Sequence, residues 1–197
     1  MRGMRLKTPV VIIGALAMVG VLVLAAYLLA SGQQGGEEVG SKGNGEPHIT
    51  PPKDKTLRLT IPKMAQIKDD EIPTGLGTDE ALFHDYAAVH IKHTGWPWEK
   101  EANVYIAGHR LGYENTDSHL AFWDLNEVEK GDQIYITDSE GRKYTYKVFR
   151  KFVVTPDTLS VLNPVEGKNI VTLQTCTLPD YTNRLLVRGE LKDISEE

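Results

Sequence analysis

Cys176 is the single cysteine among 197 residues, and a lone thiol can neither close an internal disulfide nor share a zinc site with other cysteines. It follows the apolar run Ile170-Val171-Thr172-Leu173 and precedes Thr177-Leu178-Pro179-Asp180, so it stands where a strand gives way to a loop, a common place for reactive groups. Two readings stay open on these grounds: a small buried hydrophobe or a thiol nucleophile. A nucleophile needs a proton partner and a donor for the charge that develops on the substrate oxygen. Of the six histidines, His48 lies in a Gly- and Pro-rich segment, and His84, His90 and His93 surround Trp96-Pro97-Trp98 as packing or surface residues. His109 differs because it follows the strand-like Val104-Tyr105-Ile106-Ala107 and a glycine, Gly108, that lets the backbone turn closely. His119 is a rival near a helix start. Ser118-His119 beside Asp117 evokes a serine hydrolase, but no nucleophile-elbow glycine pattern surrounds Ser118. Arg184 and Arg188 both offer a guanidinium, and strand alternation does not choose between them because residues four apart share a face.

The elements around these residues read mostly as short strands. Leu57, Leu59 and Ile61 alternate with Arg58 and Thr60, and Val104 to Ala107, Gln133 to Thr137, Tyr144 to Val154, Ile170 to Thr175 and Leu185 to Val187 are β-branched or aromatic runs bounded by turn residues. Asp138-Ser139-Glu140-Gly141 is a hairpin loop candidate. One helix is expected after Asp117 or Ser118, running through Leu120, Trp123 and Val128 and stopping at Lys130-Gly131. So many strands predict an antiparallel barrel or sandwich.

Composition bounds the rest. The chain is 41% hydrophobic and 25% charged, which suits one globular domain and excludes collagen, low-complexity and disulfide-scaffold classes. The net charge is -5, and with Arg2, Arg5 and Lys7 set aside residues 8–197 carry -8, which argues against nucleic acid as a partner. From Pro9 to Ala30 there is no charge, and 22 residues of helix span roughly 33 Å, enough to cross a bilayer. The basic flank before it orients residues 1–8 as a cytoplasmic tail. A cleaved signal peptide is the alternative, but the run exceeds an h-region of about 7 to 15 residues. Residues 31–55, rich in Gly, Pro, Lys and Glu, read as an extracellular tether, and residues 56–197 as the folded domain. The expectation is a single-pass membrane protein with its folded domain outside the cell.

Thr172-Leu173-Gln174-Thr175-Cys176 resembles the TLxTC signature of sortases, and Ala107-Gly108-His109-Arg110 resembles the histidine motif of that family. Arg184, in Asn183-Arg184-Leu185-Leu186-Val187-Arg188-Gly189, matches the arginine that opens the family's last catalytic strand. The resemblance covers Leu57 to Leu191. It implies a closed eight-stranded sortase β-barrel with short helices, preceded here by the transmembrane helix. It also implies that Cys176 attacks the carbonyl between Thr and Gly of an LPXTG- or LAXTG-like C-terminal sorting signal, that His109 carries protons and that Arg184 holds the oxyanion. Thr175 matches a substrate-contacting position. The implied partners are surface proteins bearing the signal, a peptidoglycan-precursor or pilin amine, and the membrane; no cofactor is implied.

Within the family, the stretch Leu111 to Trp123 and the single span look closest to class E-like sortases, which favour a small residue such as Ala at the second signal position. The loop Thr155 to Lys168 is expected to line that pocket. Glu114, Asp117 and Glu166 are too ordinary in spacing to claim a calcium site, so no metal is expected. Two other readings remain: a cysteine hydrolase of the same fold, in which water resolves the intermediate, and a non-catalytic surface-binding barrel.

Overall fold

The computed structural model describes residues 49–196. Nine strands occur in the order β1 (Leu57–Thr60), β2 (Lys68–Ile72), β3 (Thr74–Gly75), β4 (Val89–Ile91), β5 (Ala102–Ala107), β6 (Gln133–Asp138), β7 (Arg142–Val154), β8 (Asn169–Cys176) and β9 (Arg184–Glu196). A short helix α1 (Glu80–Asp85) and 3-10 turns at Trp123–Glu127 and Leu159–Leu162 lie between them. The sheet order is β2-β1-β6-β7-β9-β8-β5-β4-β3.

The expected closed eight-stranded barrel is corrected to a nearly closed sheet of nine strands, and the reason is one residue. Both edges of the sheet, β2 and β3, are consecutive in the chain with only Pro73 between them. Proline has no N–H to place in a ladder; its carbonyl still accepts from His90 N at 2.9 Å, but the strand divides there, pairing with β1 before the break and with β4 after it. The expected all-antiparallel pattern is also corrected, since β3 runs parallel to β4 and β5 parallel to β8.

Alternation decides the inner face. Leu57 and Leu59 of β1, Val104 and Ile106 of β5, Ile134 and Ile136 of β6, Val171 and Leu173 of β8 and Leu185 and Val187 of β9 join one core. β5 is buried at every position and β8 at nearly every one, as expected of parallel neighbours covered on both faces. The hairpin at residues 138–141 forms, with Gly141 at φ 81° and the buried Asp138 carboxylate accepting from Arg142 Nε at 2.8 Å and Tyr144 Oη at 3.0 Å.

The helix expected over residues 117–130 does not form beyond the 3-10 turn Trp123–Glu127. Its first part is spent otherwise: Leu120 N donates to Leu111 O at 2.7 Å and Phe122 N to His109 O at 3.0 Å, so the segment folds back on the loop after β5. Gly112 makes the reversal possible at φ 69°, where a Cβ would stand 2.0 Å from Ser118 O.

The expected membrane-spanning helix over residues 9–30 lies outside the described residues, and among the described residues no helix is long and apolar enough to cross a membrane. The single-pass location, the extracellular placement of the catalytic domain and the membrane as a partner all hung on that helix. They are corrected accordingly, because the structure gives them no support.

Residues 49–55, which composition assigned to the tether, contact the barrel. Ile49 packs against the core, Pro52 is buried, Arg142 Nη1 donates to Thr50 O at 2.8 Å and Ser139 Oγ to Asp54 O at 2.6 Å. Loss of these contacts should cost about 2 kcal/mol. A chain starting at residue 45 is therefore expected to melt roughly 4 to 8 °C above one starting at residue 56 in calorimetry; equal melting temperatures would assign these residues no part in the fold.

His90 joins the β3–β4 corner from inside. Thr74 Oγ1 lies 3.0 Å from Nδ1 and Gly95 O 3.0 Å from Nε2, an arrangement met by the neutral ring donating from Nε2. Burial pushes its pKa down from 6.5 to about 4. The unfolded chain thus binds the proton first, so this contribution is complete above pH 6.5 and is lost as pH falls toward 4, by roughly 3 kcal/mol in total. Denaturant titrations of the wild type should show that loss between pH 6.5 and 4, and His90→Gln should flatten it.

Candidate active site

The parallel pairing of β5 with β8 sets Ala107 opposite Gln174, and Gly108 N continues the ladder by donating to Gln174 O at 3.0 Å. The chain then leaves the strand as His109, level with the end of β8, where Cys176 stands half-buried. On the other side β9 runs antiparallel, and its first residue, Arg184, is the register partner of Cys176. His109, Thr175, Cys176 and Arg184 line one cavity of about 470 Å³, with Glu80, Phe83, Tyr113 and Gln174. The structure therefore brings together all four residues singled out in the sequence.

His109 is held through its backbone and through aromatic contacts to its ring. Thr175 Oγ1, on the buried face of β8, donates to Gly108 O at 2.8 Å, and Phe122 N donates to His109 O at 3.0 Å. A Cβ at Gly108 would meet Phe122 Cδ1 at 2.8 Å and Ala87 O at 2.9 Å, so only glycine permits this approach. Behind the loop, Arg110 is buried, donates to Asn126 Oδ1 and lies 5.6 Å from the Trp123 ring. The imidazole makes T-shaped contacts with Phe83 of α1, ring centroids 5.8 Å apart, and with Tyr113 at 5.6 Å. Among the described residues neither ring nitrogen has a protein hydrogen-bond partner, so no carboxylate orients it. Burial pushes the His109 pKa below 6.5, and the ring is chiefly neutral at pH 7.

Arg184 Nη1 donates to the carbonyls of Tyr181 at 3.3 Å and Asn183 at 3.2 Å, which leaves the rest of the fork for the cavity. The loop that carries these carbonyls is closed by Thr177 N donating to Asn183 O and Tyr181 N to Thr177 O, both at 3.0 Å. Arg188 is engaged elsewhere: it donates to Thr172 Oγ1 at 3.2 Å and Val161 O at 2.8 Å. Of the two arginines, Arg184 lines the cavity and Arg188 does not.

Other expected residues fall outside. His119 does not line the cavity. Ser118 is fully buried, with its hydroxyl accepting from Tyr113 N at 3.1 Å, so it is no nucleophile. The loop Thr155 to Lys168 does not line this cavity either; Asn103 Nδ2 ties it to the sheet through Val161 O at 2.8 Å and Asn163 O at 3.1 Å. Among the described residues, no group of three or more His, Cys, Asp or Glu side chains is placed to hold a metal ion. Phe83 and Tyr113 had no signal in the sequence because their contact with His109 depends on how α1 and the loop pack.

The family profile described as Sortase domain matches residues 59–192. The chain belongs to the sortase family. It is 34% identical over 94 residues to sortase A of Streptococcus agalactiae, an alignment covering 48% of this chain and 38% of that protein. The chain thus matches well under half the length of that curated relative. Among solved structures it is similar to sortase C-1 of Actinomyces oris, with a TM-score of 0.61, 29% identity and coverage of 72% of this chain and 76% of that one. It is also similar to sortase C2 of the group B Streptococcus pilus island 1, with a TM-score of 0.59, 32% identity and coverage of 70% and 73%. Sortases are cysteine transpeptidases, and the half-buried thiol at a strand end fits that chemistry.

Titration of the His109 Cε1–H by NMR should give a midpoint below 6.5, and Phe83→Ala, which admits water to the ring, should move it back up. A wild-type midpoint at or above 6.5 would contradict the burial described.

Proposed function

We propose that the protein is a transpeptidase that cleaves a C-terminal sorting signal after Thr and transfers the acyl group to a cell-wall or pilin amine. The observation that carries this reading is the pairing of Cys176 with Arg184 across β8 and β9, with His109 opening on the same cavity. In the proposed reaction the Cys176 sulfur, as thiolate, adds to the carbonyl carbon of the Thr–Gly bond, and the carbonyl electron pair moves onto oxygen. Arg184 stabilises that oxyanion, since guanidinium stays protonated and presents a planar fork of donors. Collapse breaks the C–N bond, and the departing amine takes a proton from the His109 imidazolium. A thioester remains on Cys176. The incoming amine gives a proton to neutral His109, adds to the thioester, and collapse returns the thiolate. Thr175, whose hydroxyl is engaged with Gly108 O, acts through the placement of His109.

The class E-like reading is part of the proposal and rests on the stretch Leu111 to Trp123 alone, the relatives named above being of classes A and C. Rates with LAXTG- against LPXTG-like peptides test it: preference for Ala at the second position supports it, and preference for Pro rules it out.

Mass spectrometry of the protein incubated with sorting-signal peptides should detect a thioacyl adduct that Cys176→Ala abolishes. Arg184→Ala should fold and lose about 10²- to 10³-fold in turnover, with Arg188→Ala losing less. A short glycine peptide or a diaminopimelate-containing stem should divert product from acid to amide. Rapid release of acid with no amide from any such amine would make the protein a cysteine hydrolase instead.

A further inference from the structure

The reaction above leaves unused a polar side chain beside the nucleophile in the cavity, Gln174. Gln174 occupies the variable position of the motif, between Leu173 and Thr175-Cys176. Strand alternation puts it on the same face of β8 as Cys176, opposite the core-facing Leu173. Both Gln174 and Cys176 are half-buried and line the cavity.

Its amide has a fixed orientation. Tyr105 of β5, buried to 1% exposure, donates its hydroxyl to Gln174 Oε1 at 2.6 Å. Burial raises the Tyr105 pKa to about 12, so the phenol keeps its proton and serves as donor. With Oε1 committed to Tyr105, the amide N–H₂ turns to the other side. Among the described residues it has no protein acceptor. That donor opens on the cavity floor, where an acceptor arriving with the substrate can take it.

The spacing indicates which acceptor. Residues two apart on a strand are separated by about 6.6 to 6.8 Å, the length that two residues of an extended peptide also span. The proposed proton transfer to the departing amine places the leaving side toward His109, between Phe83 and Tyr113. The floor of β8 behind Cys176 is then left for the acyl side. Resting on the transpeptidase reading, we propose that Gln174, its amide held by the Tyr105 hydroxyl, is a substrate-binding residue that donates a hydrogen bond to the backbone carbonyl two residues before the scissile one in the bound sorting signal.

The test is steady-state transpeptidation of an LPXTG- or LAXTG-like peptide. Gln174→Leu, which keeps bulk and removes the donor, is expected to raise KM about tenfold with kcat within about twofold, as one hydrogen bond made equally in the ground and transition states requires. Gln174→Glu keeps an oxygen toward Tyr105 but turns an acceptor to the substrate, and its KM should rise by roughly 30-fold or more. A peptide whose carbonyl at that position is replaced by CH₂ should lose the same factor as Gln174→Leu against the wild type, and nothing further against Gln174→Leu. Melting temperature and alkylation of Cys176 by iodoacetamide verify that each variant is folded. If Gln174→Glu does not fold, Gln174→Leu and the modified peptide decide. An unchanged KM in Gln174→Leu, a loss confined to kcat, or additive losses for variant and modified peptide would each overturn this proposal while leaving the transpeptidase reading intact. A wild type that forms no thioacyl adduct with any sorting peptide removes both.

Discussion

The parallel ladder between β5 and β8 is the constraint on which the site depends. Two parallel strands end at the same edge of a sheet, so a histidine just past one and a cysteine at the end of the other meet although 67 positions separate them. An antiparallel pairing of these strands would send His109 and Cys176 to opposite ends. The ladder then continues past the last residue of β5 through Gly108 N to Gln174 O, and Thr175 Oγ1 closes the same junction from below. Adding β9 antiparallel to β8 starts that strand beside the cysteine, which is why Arg184 rather than Arg188 enters the cavity.

Around this frame the proposed proton carrier is held without a carboxylate. Two T-shaped aromatic contacts and a pinned backbone fix the His109 ring, and the same packing removes water and favours the uncharged imidazole. Neutral imidazole suits the step that accepts a proton from an incoming amine and makes the protonated form, needed for the departing amine, the scarcer one. The floor of the cavity is ordered in a similar way: a buried phenol orients the Gln174 amide, and Asn103 with Arg188 secures the loop above the sheet. Polar groups on the outer face of β5, β8 and β9 thus bond one another first and leave few, fixed directions open to a ligand.

Where reading by pattern failed, a longer-range contact had outweighed the local preference. The segment after Ser118 has helical spacing, yet its Leu120 and Phe122 N–H groups are taken by the carbonyls of Leu111 and His109, and that tie folds the segment back on the loop after β5. The ninth strand arises because Pro73 cannot donate to a ladder, a property visible in the chain whose effect depends on both neighbours being paired. Residues 49–55 have the composition of a linker, but proline and isoleucine there find apolar surface on the finished barrel.

The strand runs, the hairpin at Asp138 to Gly141 and the motifs that carry the family resemblance were legible in the amino-acid sequence alone. Each is written in adjacent or alternating residues: side-chain period, turn chemistry and short motifs are local properties of a chain. The parallel direction of β5 against β8, the placement of Arg184 rather than Arg188 at the cavity, the aromatic frame of Phe83 and Tyr113 and the orientation of Gln174 were decided only by tertiary structure. Those depend on which strands become neighbours and in what register, and register is set by burying the whole inner face of the sheet at once, a sum over distant residues that no local window contains.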